Sequence, residues 1–292
     1  MDKFKGIFPA LLTPFTKGNK INEAELERLV KLNIEKGVTG FYVGGSTAEA
    51  FVMSLDERRY ILDIVTSVAK DKTIIYHVGD ISTDNAISLA KHAQKLSVDA
   101  ISAIPPFYYN FSFQEIKKYY YDIVDSVELP MIIYNFPAFS GVTLNIGNIG
   151  EFLCDDRFIG VKHTSNDFYS LERFKKEYDK LVYNGFDEMF LAGISMGADG
   201  GIGSTYNIMA EKFIKMQQVF SKGRVEEAQA IQSEVNQIIA AIVKVGVLPA
   251  EKEILNLMGF DFGCCRAPFK RATEEETEYL RKEVLPFMEC GI

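Results

Sequence analysis

Residues 158–164, Phe-Ile-Gly-Val-Lys-His-Thr, form a short apolar run that carries a lysine, Lys162, near its end. Apolar runs of four to eight residues between turn signals are typical of buried strands in parallel sheets. A lysine at the end of such a strand loses contact with water, which lowers the pKa of its amine. An uncharged amine can attack a ketone and form a Schiff base. Lys162 is therefore a candidate nucleophile, the alternative being a lysine whose amine simply reaches solvent.

The same unit of a short apolar strand followed by a helix recurs along the chain. Helix starts are indicated by Ser54 and Ser112, each followed three residues later by a glutamate, and by Asn22 with Glu25. Such pairs are typical of capping boxes. Eight strands are predicted, the last of them weak, at residues 6–12, 41–45, 73–78, 100–104, 131–134, 158–164, 181–185 and 200–203.

Eight strands alternating with helices predict an α/β fold, a closed (β/α)8 TIM barrel. A doubly wound open sheet is the alternative, but it requires a glycine-rich phosphate loop after the first strand, where this chain has Thr13-Pro14-Phe15. Helices are predicted beyond the last strand at residues 225–243, 248–258 and 273–288. We therefore predict a catalytic barrel at residues 1–220 and a C-terminal helical extension, packed on it, at residues 221–292.

Charge and composition exclude several kinds of partner. The formal net charge is −8, without a run of Lys or Arg, which argues against nucleic acid and against an anionic membrane surface. No apolar run approaches the roughly 18 residues of a membrane span, and the N-terminus lacks the pattern of a signal peptide. The cysteines show no metal-binding spacing, which favours reduced thiols in the cytoplasm. They are Cys154, Cys264, Cys265 and Cys290.

In a barrel, reactive side chains lie where strands end. Two of the three histidines, His77 and His163, lie at strand ends, but a metal-dependent aldolase needs two or three histidines and a carboxylate around one ion. We expect no metal and no organic cofactor. The loop Gly-Gly-Ser-Thr at 44–47 offers amides and hydroxyls that suit a carboxylate, or is an ordinary glycine turn.

Other strand ends carry groups with more than one interpretation. Tyr134 can relay protons, or be a buried tyrosine with a satisfied hydroxyl. Asp187 and Glu188 can accept hydrogen bonds from substrate hydroxyls, or be acids favoured by a helix N-terminus. Tyr108 and Tyr109, as a bare pair, are most often packing residues.

Taken together, these motifs resemble the pyruvate-dependent class I lyases, the family that includes N-acetylneuraminate lyase and dihydrodipicolinate synthase. The motifs are Gly-Gly-Ser-Thr-Ala-Glu at 44–49, Tyr-Asn-Phe-Pro at 134–137 and Lys-His-Thr-Ser at 162–165. The resemblance extends from residues 11–15 to residues 265–269. Stretches 134–142, 183–188 and 197–209 are similar to the sialic acid lyases of that family. Phe139 stands where the synthases carry an arginine that grips a second carboxylate.

The resemblance implies roles for individual residues. It makes Lys162 the Schiff-base lysine and Tyr134 the proton-transfer residue, with Ser46 and Thr47 on the pyruvate carboxylate. Tyr108 matches a tyrosine placed near a neighbouring subunit's site in a homotetramer, and counts with Lys162, Tyr134 and Ser46 as catalytic. The residues implied to bind the hydroxylated tail of the substrate are Thr164, Gly185, Asp187, Glu188 and Ser204.

The reaction implied is the reversible aldol cleavage of N-acetylneuraminate to N-acetylmannosamine and pyruvate. The alternatives are dihydrodipicolinate synthesis, cleavage of a 2-keto-3-deoxy sugar acid, or a non-catalytic barrel that binds sugar acids. One departure concerns Ala48, which stands where the family pattern usually has glycine. If the backbone there needs a positive φ, alanine costs about 1 kcal/mol.

Overall fold

A computed structural model describes residues 1–288 and contains one eight-stranded parallel sheet. Its order, β1-β8-β7-β6-β5-β4-β3-β2, is that of a barrel. Between β1 and β2 the ring is completed by a parallel bridge from Ala10 to Tyr42, whose carbonyl accepts a hydrogen bond from the Leu11 amide at 3.0 Å. The strands are β1 (Gly6–Pro9), β2 (Gly40–Val43), β3 (Thr73–His77), β4 (Ala100–Ala103), β5 (Met131–Asn135), β6 (Phe158–His163), β7 (Leu181–Asn184) and β8 (Gly200–Gly203).

Helices follow the strands and cover the outside of the ring. The predicted (β/α)8 barrel is therefore confirmed, and the open doubly wound sheet is wrong. The α-helices are α1 (Glu23–Glu35), α2 (Leu55–Val68), α3 (Thr83–Lys95), α4 (Phe113–Val124), α5 (Pro137–Ser140), α6 (Gly150–Leu153), α7 (Phe168–Tyr178), α8 (Phe190–Ser195), α9 (Tyr206–Ser221), α10 (Val225–Val245), α11 (Val247–Leu257) and α12 (Glu274–Glu283).

Apolar side chains fill the barrel in two separate layers. One cluster occupies the interior of the ring, where Phe8 packs edge-on against Tyr183 with ring centroids 5.7 Å apart. A larger cluster lies between the strands and the helices and extends into the C-terminal helices. Because both faces of every strand are buried, the strands have continuous apolar runs rather than alternating ones.

Helix capping follows the sequence at two of the three predicted positions. Ser54 and Ser112 each accept a hydrogen bond from the amide three residues later and form complete capping boxes. The capping box predicted at Asn22 is wrong, because its side-chain amide donates to the Asp261 carbonyl at 3.0 Å instead. Asn22 thus ties the barrel to the segment after α11.

The C-terminal helices pack on the barrel rather than standing apart from it. Helix α10 contacts α9 and α8, and α11 packs between α10 and α12. The predicted helix at 273–288 is shorter in the structure, where α12 ends at Glu283 and a 3-10 turn follows at Leu285–Phe287. The division into a barrel and an extension at residue 220 stays a prediction.

Within residues 1–288, no helix is long and apolar enough to cross a membrane. Cys154, Cys264 and Cys265 are free thiols, and Cys290 lies outside the described residues. The cytoplasmic location stays a prediction.

Candidate active site

A cavity of about 870 Å³ opens at the carboxyl ends of the strands. Side chains from the strand ends form its floor, and residues of α10 and α11 form one wall. Nine of the ten residues that the sequence analysis named as catalytic or substrate-binding line this cavity, and the exception is Tyr108. The structure thus gathers residues that are up to 158 positions apart in the chain, from Ser46 to Ser204.

Lys162 lies near the end of β6 with only 5 % of its surface exposed. Its Nζ atom is 4.0 Å from the centroid of the Tyr134 ring and 4.4 Å from that of Tyr42. Burial lowers the pKa of its amine to about 7, although the Asp187 carboxylate acts in the opposite direction. Within residues 1–288 Lys162 forms no salt bridge, so much of the amine is uncharged at neutral pH.

Tyr134 lies opposite Lys162 in the pairing of β5 with β6. Burial raises the pKa of its phenol well above the usual value, and the nearby hydroxyls of Ser46 and Thr164 oppose this only in part. Within the described chain Thr164 Oγ1 is buried without a hydrogen bond of standard geometry. A protonated phenol therefore stands beside an amine that can lose its proton, with two hydroxyls around it.

The loop at 44–49 turns from β2 into the cavity. Gly44 has φ +74° and Ser46–Ala48 form a 3-10 turn, which places Ser46 and Thr47 on the cavity wall. The non-glycine residue of this loop with a positive φ is Glu49, at +62°, and not Ala48. The energetic cost considered for Ala48 therefore does not arise.

Glu49 anchors the same loop to the C-terminal segment. Its buried carboxylate forms an ion pair with Lys252 of α11 and accepts a hydrogen bond from the Arg266 amide at 2.7 Å. Sequence reasoning missed Lys252. The available signal was its place beside the apolar positions Ile254 and Leu255 of α11, where a charged residue is buried and needs a partner.

Asp187, which follows β7, lines the cavity and is almost fully buried. One carboxylate oxygen, Oδ2, accepts hydrogen bonds from the Thr205 amide at 2.9 Å and from its hydroxyl at 2.7 Å. Burial nevertheless raises the pKa of this carboxyl to about 6. Glu188, next in the chain, is exposed on the cavity wall. Two carboxyl groups thus face the cavity at different depths.

Two glycines leave room for these groups. A Cβ atom at Gly203 would collide with the Asp187 carboxylate, and one at Gly185 would collide with the Thr164 hydroxyl. Because Gly203 belongs to β8, the weak sequence signal of that strand has a structural reason. The glycine that weakens the strand pattern is needed where Asp187 approaches the backbone.

The last residues of β3 and β6, His77 and His163, are fixed as neutral, structural side chains. His77 accepts a hydrogen bond from the Ile104 amide at 3.2 Å and donates to the Gly44 carbonyl at 3.2 Å. His163 accepts from the Asn135 amide group at 3.2 Å and donates to a carbonyl through its other nitrogen. In the part of the chain that the structure describes, no three His, Cys, Asp or Glu side chains come together to hold a metal ion.

Tyr108 lies away from the cavity of its own chain. It is 84 % exposed, has φ +78°, and packs edge-on against Tyr109. The two rings pack against each other, as a packing role for Tyr108 and Tyr109 requires. That role does not explain why both side chains are exposed to solvent. Its role at a neighbouring subunit's site stays a prediction.

The chain has a buried lysine amine beside a phenol, at the carboxyl ends of the strands of a (β/α)8 barrel. This arrangement is that of the class I carbon–carbon lyases, in which a lysine forms a Schiff base with the substrate. The sequence pattern of the dihydrodipicolinate synthetase family matches residues 3–285. The chain belongs to this family.

Within this family, the chain is similar to relatives and solved structures of one kind. N-acetylneuraminate lyase of Rhizobium meliloti (strain 1021) is 44 % identical over 289 residues, which cover 98 % of this chain and 96 % of the relative. CdNal from Clostridium difficile, solved in complex with mannosamine, superposes with a TM-score of 0.95 at 39 % identity, covering 97 % of this chain and 99 % of that one. N-acetylneuraminate lyase from Fusobacterium nucleatum gives a TM-score of 0.94 at 39 % identity, with 98 % and 100 % covered.

The contact between Gly203 and Asp187 gives a first prediction. We expect Gly203→Ala to lower the free energy of unfolding by about 1–3 kcal/mol, because the added methyl group displaces a buried carboxylate from Thr205. Urea denaturation measures this change. Gly18→Ala is the matched control, since the nearest described atom to its Cβ position is the Thr16 hydroxyl oxygen, at 3.7 Å. A Gly203→Ala variant as stable as the control would contradict the packing described.

Proposed function

We propose that this chain is an N-acetylneuraminate lyase, which cleaves N-acetylneuraminate reversibly to N-acetylmannosamine and pyruvate. The observation that carries the proposal is the buried amine of Lys162, which faces a large cavity that hydroxyl and carboxyl groups also line. The lyases named among the relatives and solved structures support the choice of substrate.

The first chemical step belongs to Lys162 and Tyr134. The uncharged amine attacks the ketone carbon of the open-chain sugar acid and forms a carbinolamine. Tyr134 is protonated in the free enzyme, because its pKa is raised, and so donates a proton to the departing hydroxyl. Water leaves, an iminium remains on Lys162, and a phenolate remains on Tyr134 beside that positive charge.

Cleavage then follows from the charge on the iminium. The phenolate of Tyr134 takes the proton of the C4 hydroxyl, and the electron pair of the C3–C4 bond moves toward the iminium nitrogen. N-acetylmannosamine leaves as the aldehyde, and an enamine of pyruvate remains on Lys162. Protonation of the enamine carbon and hydrolysis of the resulting iminium release pyruvate and restore the amine.

The two ends of the substrate have different binding surfaces. Ser46 and Thr47 bind the pyruvate carboxylate from the 44–49 loop, where amide donors and hydroxyls meet at the cavity wall. The hydroxylated tail is bound by a second group of cavity-lining residues, namely Thr164, Gly185, Asp187, Glu188 and Ser204.

Dihydrodipicolinate synthesis and the binding-only barrel are disfavoured by particular side chains. Phe139, on the cavity wall, packs against Phe136 and supplies no cation for a second carboxylate. Among residues 1–288, the cations that line the cavity are Lys162 and Lys270, and Lys270 is already paired with Glu276. A non-catalytic barrel has no need of a desolvated lysine with a lowered pKa.

The proposed nucleophile gives the second prediction. Borohydride reduction in the presence of pyruvate should attach a pyruvate-derived mass to the peptide that contains Lys162, and mass spectrometry locates it. Lys162→Met should take up no label. A label on another lysine, or on none, would reject the Schiff-base mechanism.

With N-acetylneuraminate we expect turnover, and with pyruvate plus aspartate semialdehyde we expect none; the reverse result would assign the chain to the synthases.

The phenol of Tyr134 gives the third prediction. We expect Tyr134→Phe to lower kcat by about 10²- to 10⁴-fold, because the proton transfer proposed for its hydroxyl is lost. The measurement is steady-state cleavage of N-acetylneuraminate, coupled to reduction of pyruvate. Tyr183→Phe is a matched control, since its hydroxyl donates to the Phe4 carbonyl inside the barrel and lies away from the cavity lining. Equal losses in the two variants would remove the proposed role.

The assembly gives the fourth prediction. We propose a homotetramer in which Tyr108 reaches the site of a neighbouring copy, supported by the exposure of both Tyr108 and Tyr109. Light scattering after gel filtration should give four times the chain mass of 32.9 kDa. Tyr108→Phe should lose activity. Tetramers that contain both Tyr108→Phe and Lys162→Met chains should regain part of it, because one chain supplies Lys162 and the other supplies Tyr108. A fully active monomer would contradict this assembly.

A further inference from the structure

Glu251 is a fully buried carboxyl group behind the cavity wall that the mechanism above does not use. It lies on α11, and its Oε1 atom is 2.6 Å from the hydroxyl oxygen of Ser204, which lines the cavity. In the part of the chain that the structure describes, its other oxygen, Oε2, has no hydrogen-bond partner. Lys252, next in the helix, is paired with Glu49 instead.

The unpartnered oxygen determines where a proton on Glu251 would lie. A buried O–H donor without an acceptor is costly, whereas a buried carbonyl oxygen without a donor is tolerated better. A proton on Glu251 therefore belongs on Oε1, from which it is donated to Ser204 Oγ. The hydrogen of Ser204 is then free to point into the cavity. If Glu251 is ionised, the Ser204 hydroxyl must instead donate to the carboxylate.

We propose that Glu251 is a positioning residue that makes Ser204 a hydrogen-bond donor toward the hydroxylated tail of the substrate. The proposal rests on the proposed function, since it needs a sugar tail at Ser204. Carboxylates accept hydrogen bonds only, so a sugar hydroxyl that donates to Asp187 or Glu188 leaves its own oxygen as an acceptor. When Glu251 is protonated, the Ser204 hydroxyl is free to donate a hydrogen bond to that sugar oxygen.

The surroundings of Glu251 favour its neutral form. Burial raises the pKa of this carboxyl, the Ser204 hydroxyl lowers it and the Asp187 carboxylate raises it, and together they bring the pKa to about 8. Helices α9, α10 and α12 pack around α11, and among the described residues Asp187 is the charged group that acts on Glu251. Ionisation of Glu251 above about pH 8 reverses the hydrogen bond and removes the donor that faces the cavity.

The experiment follows the condensation of N-acetylmannosamine with pyruvate at saturating pyruvate, where Lys162 is already held as an imine. In the wild-type enzyme we expect KM for N-acetylmannosamine to rise by roughly three- to tenfold from pH 7 to pH 9, the range for one lost hydrogen bond. Glu251→Gln has the same shape but does not titrate, so its KM should stay level. Glu253→Gln is the matched control, because this glutamate of α11 bonds to Thr277 outside the cavity and should leave the rise intact.

Ser204→Ala provides a second, independent variant. Its KM should be raised at pH 7 and should not change further up to pH 9, and Glu251→Gln should add nothing to it. An equal rise with pH in wild type and Glu251→Gln, or a rise that persists in Ser204→Ala, would overturn the role of Glu251 while leaving the lyase function standing. A wild-type enzyme that does not condense the two substrates would reject the proposed function, and the role of Glu251 with it.

Discussion

Removal of water from the Lys162 amine is the constraint on which the rest of the site depends. The amine is enclosed by the rings of Tyr42 and Tyr134 and has no salt bridge within the described chain. A fall in its pKa from 10.5 to about 7 corresponds to about 5 kcal/mol of lost stabilisation of the charged form. Asp187 is near enough to act on the amine, but its carboxylate is held by Thr205. A direct ion pair would restore the charge and remove the nucleophile.

The C-terminal helices complete this arrangement from outside the ring of strands. Lys252 of α11 pairs with Glu49, which fixes the end of the loop that carries Ser46 and Thr47. Glu251, one residue earlier, contacts Ser204, which lines the cavity after β8. Neighbouring residues of one helix thus contact both the proposed carboxylate end and the proposed sugar end of the site. Breaking the buried Glu49–Lys252 pair would leave an uncompensated charge, which is strongly destabilising.

The sequence was sufficient for the barrel and for most of the cavity because both depend on local signals. Strand ends are visible as apolar runs, and a barrel brings the carboxyl ends of its strands together. The contacts that depend on partners distant in the chain were not predictable. The Asn22 side chain donates a hydrogen bond to the Asp261 carbonyl instead of capping α1. The non-glycine residue with a positive φ in the 44–49 loop is Glu49 rather than Ala48. Glu251 looks like an ordinary helix residue until Ser204 is placed beside it.

The central claim is that burial leaves the Lys162 amine uncharged near neutral pH. It is tested most directly by the rate of imine formation with pyruvate, followed by stopped flow from pH 5 to pH 11. Because only the uncharged amine attacks the ketone, the rate should rise with pH and level off with a midpoint near pH 7. A midpoint near 10.5, the value of an ordinary lysine, would show that the amine is charged and solvated and would contradict the account.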